Sequence, residues 1–206
     1  MKKKVLVVDL DGTLYSLNTF HYFIWFLFKY SIKNLKIVLF FVLLTSSTLR
    51  GLKLISHAKM KYNILKSIKN DTKIDYNRFV RNLSENKRNI NHIMDDSFDL
   101  KILATAAPLC YSDIIAKNEG FDYCIATKFP ELNYTDDFEN SKEIKMQNVQ
   151  NYLSENNTDN IEVLITDHID DLPLMKLSKH NIIVNPDSDL EKVLNANKIS
   201  FEVYKE

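Results

Sequence analysis

Lys4-Val5-Leu6-Val7-Val8-Asp9-Leu10-Asp11-Gly12-Thr13-Leu14 decides how the rest of the 206-residue chain is read. Its four apolar residues in a row are the mark of a strand covered on both faces, as in a parallel sheet. Two carboxylates, Asp9 and Asp11, follow at the strand's carboxyl end, and a glycine comes straight after them. In open α/β sheets ligands sit outside the carboxyl ends of the strands. Asp9 and Asp11 are therefore candidate site residues.

The same grammar returns from residue 102 onward. Short apolar runs at 102–104, 123–126, 163–166 and 182–184 read as strands. Helices are expected over 112–119, stopped by Gly120, and over 142–153 and 171–178. This alternation predicts an α/β fold, a Rossmann-like doubly wound parallel sheet. Between Leu14 and the second strand the pattern is different. Helical stretches are expected over 18–30, 33–44 and 49–68, then a polar, partly helical segment over 71–96. The division predicted is an α/β core of residues 1–14 and 97–206, carrying residues 15–96 as an inserted α-helical cap. An acidic loop or hairpin is expected over 131–140. With three Gly and four Pro there is no flexible linker.

Composition narrows the function. The chain is 45% hydrophobic and 26% charged, unlike a disordered segment. Its 27 basic and 27 acidic residues balance, which removes any global bias toward nucleic acid. Cys110 and Cys124 are too few for a disulfide framework and read as packing residues. The basic start Met1-Lys2-Lys3-Lys4 is followed by only four apolar residues before Asp9, too few for a secretory h-region, so a cytoplasmic protein is expected. The zero net charge hides a division. Residues 1–70 hold twelve basic and two acidic side chains, and no acid occurs between Gly12 and Asn70. Within that span 19 of the 25 residues over 20–44 are hydrophobic.

The strand ends collect a hard-oxygen site. Beside Asp9 and Asp11 stand Thr105 and the run Asp167-His168-Ile169-Asp170-Asp171, and Lys142 and Lys145 start the helix between them. Such carboxylates suit Mg²⁺, and a hydroxyl with an ammonium suits a phosphate. The pattern resembles the haloacid dehalogenase superfamily of phosphohydrolases, in its branch with a helical cap after the first motif. Asp9-Leu-Asp11-Gly-Thr-Leu matches the first motif, Leu103-Ala-Thr105-Ala-Ala the second and Glu143-Ile-Lys145 the third. Asp167-His-Ile-Asp-Asp171-Leu-Pro-Leu matches the fourth, and Asn185-Pro186-Asp187 is a further feature of the branch.

The resemblance implies a phosphomonoester hydrolase. Asp9 would be the nucleophile, forming an aspartyl-phosphate, and Asp11 the general acid and base. Mg²⁺ would be held by Asp9, the Asp11 carbonyl and Asp167, with Asp171 acting on its waters. Thr105 and Lys145 would bind phosphoryl oxygens, although Lys142 lies one turn from Lys145. Thr166 and His168 stand where the family commonly has Gly and Ser or Asn, and a side chain at 166 could crowd the metal loop. Those departures leave room for a non-catalytic module on the same fold. A receiver domain is set aside, because it has no long insertion after the first strand.

In that superfamily the cap sets specificity. The soluble phosphoserine phosphatases carry an acid soon after the first motif, and here none occurs before Asp71; Asp71 or Glu85 could substitute. His21, His57, His92 and His180 lack ligand spacing and are expected to be structural or exposed. The apolar, basic cap resembles that of bacterial phosphatidylglycerophosphate phosphatases. It suggests a lipid-linked or hydrophobic phosphate and a peripheral place on an anionic membrane, against the alternative of a small soluble metabolite. The longest unbroken apolar runs, 22–28 and 37–44, are too short for a straight span.

Overall fold

The computed structural model describes residues 3–205, so the Met1-Lys2 pair of the basic start lies outside the described residues. β1 (Val5–Val8) is fully buried. It pairs in parallel with β2 (Leu100–Pro108) on one side and β4 (Ile161–Thr166) on the other. With β3 (Tyr123–Thr127), β5 (Ser178–Val184) and β6 (Glu202–Tyr204), the order is β3-β2-β1-β4-β5-β6, every pairing parallel. This is a doubly wound Rossmann-like sheet, and its order reverses at β1, where the crevice for ligands opens.

Alternation along β1 explains its apolar run. Leu6 and Val8 join the core on the cap side, and Val5 and Val7 join the core beneath the other face. The first core includes side chains of α5 (Leu109–Asn118); the second includes side chains of α6 (Lys142–Glu155), α7 (Leu172–Met175) and α8 (Ser188–Ala196).

Residues between β1 and β2 form α1 (Thr19–Lys33), α2 (Ile37–Gly51), α3 (His57–Ile68) and α4 (Tyr76–Arg81), with two short 3-10 turns. Caps set the starts. Asn18 accepts from the His21 N–H at 3.0 Å, and Ser56 from the Lys59 N–H at 3.1 Å. One expectation is corrected here. The helix expected over 49–68 is two elements, because Leu49 to Gly51 finish α2 and a turn with Lys53 at φ 58° leads to the Ser56 cap. Likewise the helix expected from residue 33 starts at Ile37, after a tight turn through Leu35 at φ 53°.

Smaller differences follow the core. The 131–140 segment contains turns and no strand, and residues 169–175 make a 3-10 turn and the four-residue α7 in place of a longer helix. β2 runs past Thr105, yet its register against β3 breaks between Ala104 and Pro108. At that break the Thr105 and Ala106 carbonyls accept from side chains, Asn140 on the first and Lys61 and Thr127 on the second. α8 and the half-exposed three-residue β6 were not expected, although Leu190, Val193 and Leu194 of α8 stand at helical spacing behind the Asp187 cap.

Candidate active site

The site is built from the ends of β1, β2 and β4 and the start of α6. Asp9 leaves β1 with its N–H donating to the Ile165 carbonyl at 2.9 Å. The chain then turns through Gly12 at φ +80°. Glycine is needed there twice over: the left-handed backbone disfavours a side chain, and a Cβ would overlap the Asp167 carboxylate. Thr13 holds that carboxylate by a 2.8 Å hydrogen bond. Arg88, at the end of the cap segment, donates to the carbonyls of Gly12 and Thr13 at 2.5 and 3.1 Å and fixes the turn from behind.

Lys145 reaches the centre. Its ammonium donates to Asp9 at 2.7 Å and to Asp171 at 2.8 Å, and all three residues are buried. Lys142 stands at the chamber wall with 60% of its side chain exposed and meets Asp170 at 3.9 Å. The Thr166 hydroxyl, read in the sequence as a source of crowding, donates to Asp171 at 2.6 Å. Asp171 is thus held from two directions. Thr105 accepts a 3.0 Å bond from the Ala107 N–H, which leaves its hydroxyl hydrogen free to donate outward. Asn140 donates to the Thr105 and Ile125 carbonyls at 2.8 and 3.1 Å and ties the α6 approach to the strand end.

Burial governs the charges. It lifts the Asp9 carboxyl well above its ordinary range; Lys145 opposes this, and Asp171 and Asp167 reinforce it. Asp11 is also raised by burial, against the Thr19 N–H bond to its carboxylate at 2.8 Å and the charges of Lys61 and Lys145. Asp167 is raised by burial, against its bond from Thr13. At Lys145 burial favours the neutral amine, but Asp171 and Asp9 outweigh it and the pKa rises.

The donor set suits a hard divalent ion. Asp9 and Asp171 share one ammonium and Asp167, held by Thr13, adds a third carboxyl group beside them, so the site gathers more acid than cation in a poorly hydrated place. Among the described residues no three His, Cys, Asp or Glu side chains converge into a ready-made cage. Mg²⁺ needs none, since it keeps several waters and takes one or two carboxylates.

A family model for haloacid dehalogenase-like hydrolases matches residues 6–176, from β1 through α7. The chain belongs to this family. No curated protein sequence matches it. Among solved structures it is similar to a protein of unknown function from Bordetella pertussis Tohama I, at 17% identity and TM-score 0.77, covering 98% of both chains. An apo phosphoserine phosphatase superposes at 10% identity and TM-score 0.59, covering 97% of this chain and 92% of that one. A phosphoserine phosphohydrolase-like protein from Francisella tularensis does so at 14% identity and TM-score 0.58, covering 98% and 94%. At these identities the likeness is one of fold.

Above the site of this haloacid dehalogenase-like hydrolase lies a chamber of about 820 Å³. Three of its residues escaped sequence reasoning. Glu139, from the loop before α6, accepts from His57 Nδ1 at 3.1 Å and from the fully buried Lys61 of α3. Lys61 also donates to the Ala106 carbonyl at 2.7 Å, beside Thr105. Burial alone would raise Glu139, but the His57 bond and the Lys61 charge bring it down to about 2. His57, expected to be structural or exposed, therefore faces the chamber. Asp71 and Glu85, the acids named as substitutes for an amine-binding residue, do not line it. Asp71 is bound by Lys36 at 3.1 Å and by the Tyr30 hydroxyl at 3.0 Å.

Proposed function

We propose that this hydrolase is a Mg²⁺-dependent phosphomonoesterase working through an aspartyl-phosphate on Asp9. The observation that carries the reading is the buried Asp9–Lys145–Asp171 chain beside Asp11 and Asp167, at the switch point of the sheet. Asp9, Asp167 and the Asp11 carbonyl would hold the metal. When bound, Mg²⁺ supplies charge neutralisation that lets a carboxylate approach a phosphate dianion.

The chain's own groups account for the remaining steps. An Asp9 oxygen attacks phosphorus, and the bond from phosphorus to the leaving oxygen breaks. Asp11, biased toward its protonated form by burial, gives its proton to that oxygen. In the second step the Asp11 carboxylate takes a proton from water, whose oxygen attacks phosphorus. Inorganic phosphate leaves and the Asp9 carboxylate returns. The Thr105 hydroxyl and the third N–H of Lys145 donate to phosphoryl oxygens as charge shifts in the loose transition state. Asp171, engaged by Lys145 and Thr166, acts by positioning the ammonium.

The chamber bears on the leaving group. Glu139 is already engaged by the Lys61 ammonium and by His57 from the cap, so it offers little to a substrate amine. That favours a neutral or anionic leaving group over an amino acid, and the apolar cap favours a hydrophobic or lipid-linked one.

Purified protein is expected to hydrolyse p-nitrophenyl phosphate with Mg²⁺ and to stop in EDTA; full activity in EDTA would refute the metal assignment. Asp9→Asn should abolish both turnover and a phosphoenzyme trapped by acid quench and detected by mass. A phosphoenzyme in that variant would place the nucleophile elsewhere.

A further inference from the structure

Large apolar side chains are exposed unevenly over the molecule. Of seventeen that stand out among the described residues, eleven fall between Tyr22 and Leu54, on α1, α2 and the turns beside them. They form stripes. On α1, Tyr22, Trp25 and Ile32 share one face with Lys29 at spacings of three and four. On α2, Val38 and Phe41 share a face that continues toward Leu52, just beyond the helix end. An aromatic row joins the stripes, with ring centroids 6.0 Å apart for Trp25–Phe28, 5.6 Å for Phe28–Phe40 and 5.8 Å for Phe40–Phe41. Scattered exposed apolar residues need no explanation, but a continuous apolar face rimmed by polar residues marks an interaction surface.

We propose that the α1–α2 face docks on an anionic lipid bilayer, with both helices lying in the interfacial plane. Charge complementarity selects this occupant. Lys29, Lys33, Arg50 and Lys53 are exposed on these segments, and residues 13–70 contain no acid. A second copy of the face would bring like charges together, whereas anionic headgroups meet each lysine favourably. Acids lie on the remainder of the chain, so repulsion holds the core away from the surface and sets one orientation. No helix among the described residues is long and apolar enough to cross a membrane, so the fit is to a helix pair lying on the surface. α2, roughly 22 Å long at 1.5 Å per residue, runs from the hairpin tip to Arg50, which lines the catalytic chamber. Docking along its length would bring the chamber mouth to headgroup level. Docking itself stands on this surface alone. That the bilayer also presents the substrate rests on the phosphomonoesterase reading.

Trp25 is the chain's single tryptophan and is 68% exposed, so its emission reports docking directly. The full chain is mixed with vesicles of equal parts phosphatidylcholine and phosphatidylglycerol, or of phosphatidylcholine alone, and then sedimented. With anionic vesicles at low salt we expect co-sedimentation, a blue shift of Trp25 and protection from iodide. Phosphatidylcholine alone should give little of all three. Lys29→Gln, Lys33→Gln and Lys53→Gln together should weaken partitioning up to about 100-fold. Val38→Asp with Phe41→Asp should abolish it while circular dichroism stays unchanged. Asp9→Asn should bind vesicles like the parent, so loss of catalysis and loss of docking are separate results. A protein that stays in the supernatant with unshifted Trp25 overturns the proposal. So does a Trp25 shielded without lipid in a concentration-dependent dimer, which would make a second copy the occupant.

Discussion

Lys145 and Lys142 lie one turn apart on α6, and residue type does not separate them. Burial does: Lys145 balances two interior carboxylates, while Lys142 is solvated. Lys145→Met should therefore leave Asp9 and Asp171 facing each other without a counter-charge, at a stability cost of about 3–5 kcal/mol. Lys142→Met should change stability by no more than about 0.5 kcal/mol, as surface substitutions do. Thermal melts measure this, and single-turnover phosphorylation should fail only in the Lys145 variant. Equal losses in both would overturn the assignment. The positions of Asp9 and Asp167 were legible because strand ends in a parallel sheet are predictable places, whereas Thr105, expected to end its strand, lies inside β2. Thr166 was not legible. Its identity suggested crowding, and only the placement of Asp171 shows the hydroxyl making a bond. Gly12 was legible as a turn residue, but its close approach to Asp167 joins positions 155 residues apart and leaves no trace in local sequence.

At the scale of elements, α3 meets the core through Lys61, His57 and Glu139. This cluster is not legible in the sequence, because an acid in a polar loop and a lysine on a helix are ordinary surface residues until tertiary packing joins them. The apolar spacing over 49–68 also hid the break at Ser56, which places His57 at the chamber. The cluster has a pH signature. Glu139 is held down to about 2 in the fold, against an ordinary glutamate near 4.3. Its contribution to stability is therefore fully present above the unfolded value and is lost as pH falls toward about 2. Glu139→Gln should lower the melting temperature near neutral pH, by roughly 4–8 °C if the cluster contributes about 2 kcal/mol. The gap between parent and variant should narrow steadily from pH 5 to pH 3. A gap independent of pH over that range would mean that the carboxylate's charge does not hold the cap helix.

At the scale of the whole molecule, the charge division read from the sequence becomes a spatial one. The cationic segment 13–70 folds against a core whose acids give the chain its balance. Sequence showed the two charges but not that they face each other. The fold does this through Lys61 on Glu139, to which His57 also bonds, and further along the cap, outside that segment, Lys87 pairs with Glu119 at 2.9 Å. Cap and core should then attract each other beyond these contacts, over distances that salt can reach. The Debye length falls from about 30 Å at 0.01 M salt to about 3 Å at 1 M. Buried Lys61–Glu139 is shielded from this, while the exposed Lys87–Glu119 pair and the longer-range attraction are not. Melting temperature should therefore fall between 0.01 M and 1 M KCl by about 2–4 °C for each kcal/mol of screened attraction. A chain of zero net charge with its charges randomly placed would show little change. An equimolar series in a neutral osmolyte controls for excluded volume. The site's own carboxylates pull the other way only if solvent ions reach them, and saturating Mg²⁺ throughout removes that term. A melting temperature that holds constant or rises with KCl would mean that cap and core are joined by packing and buried pairs alone.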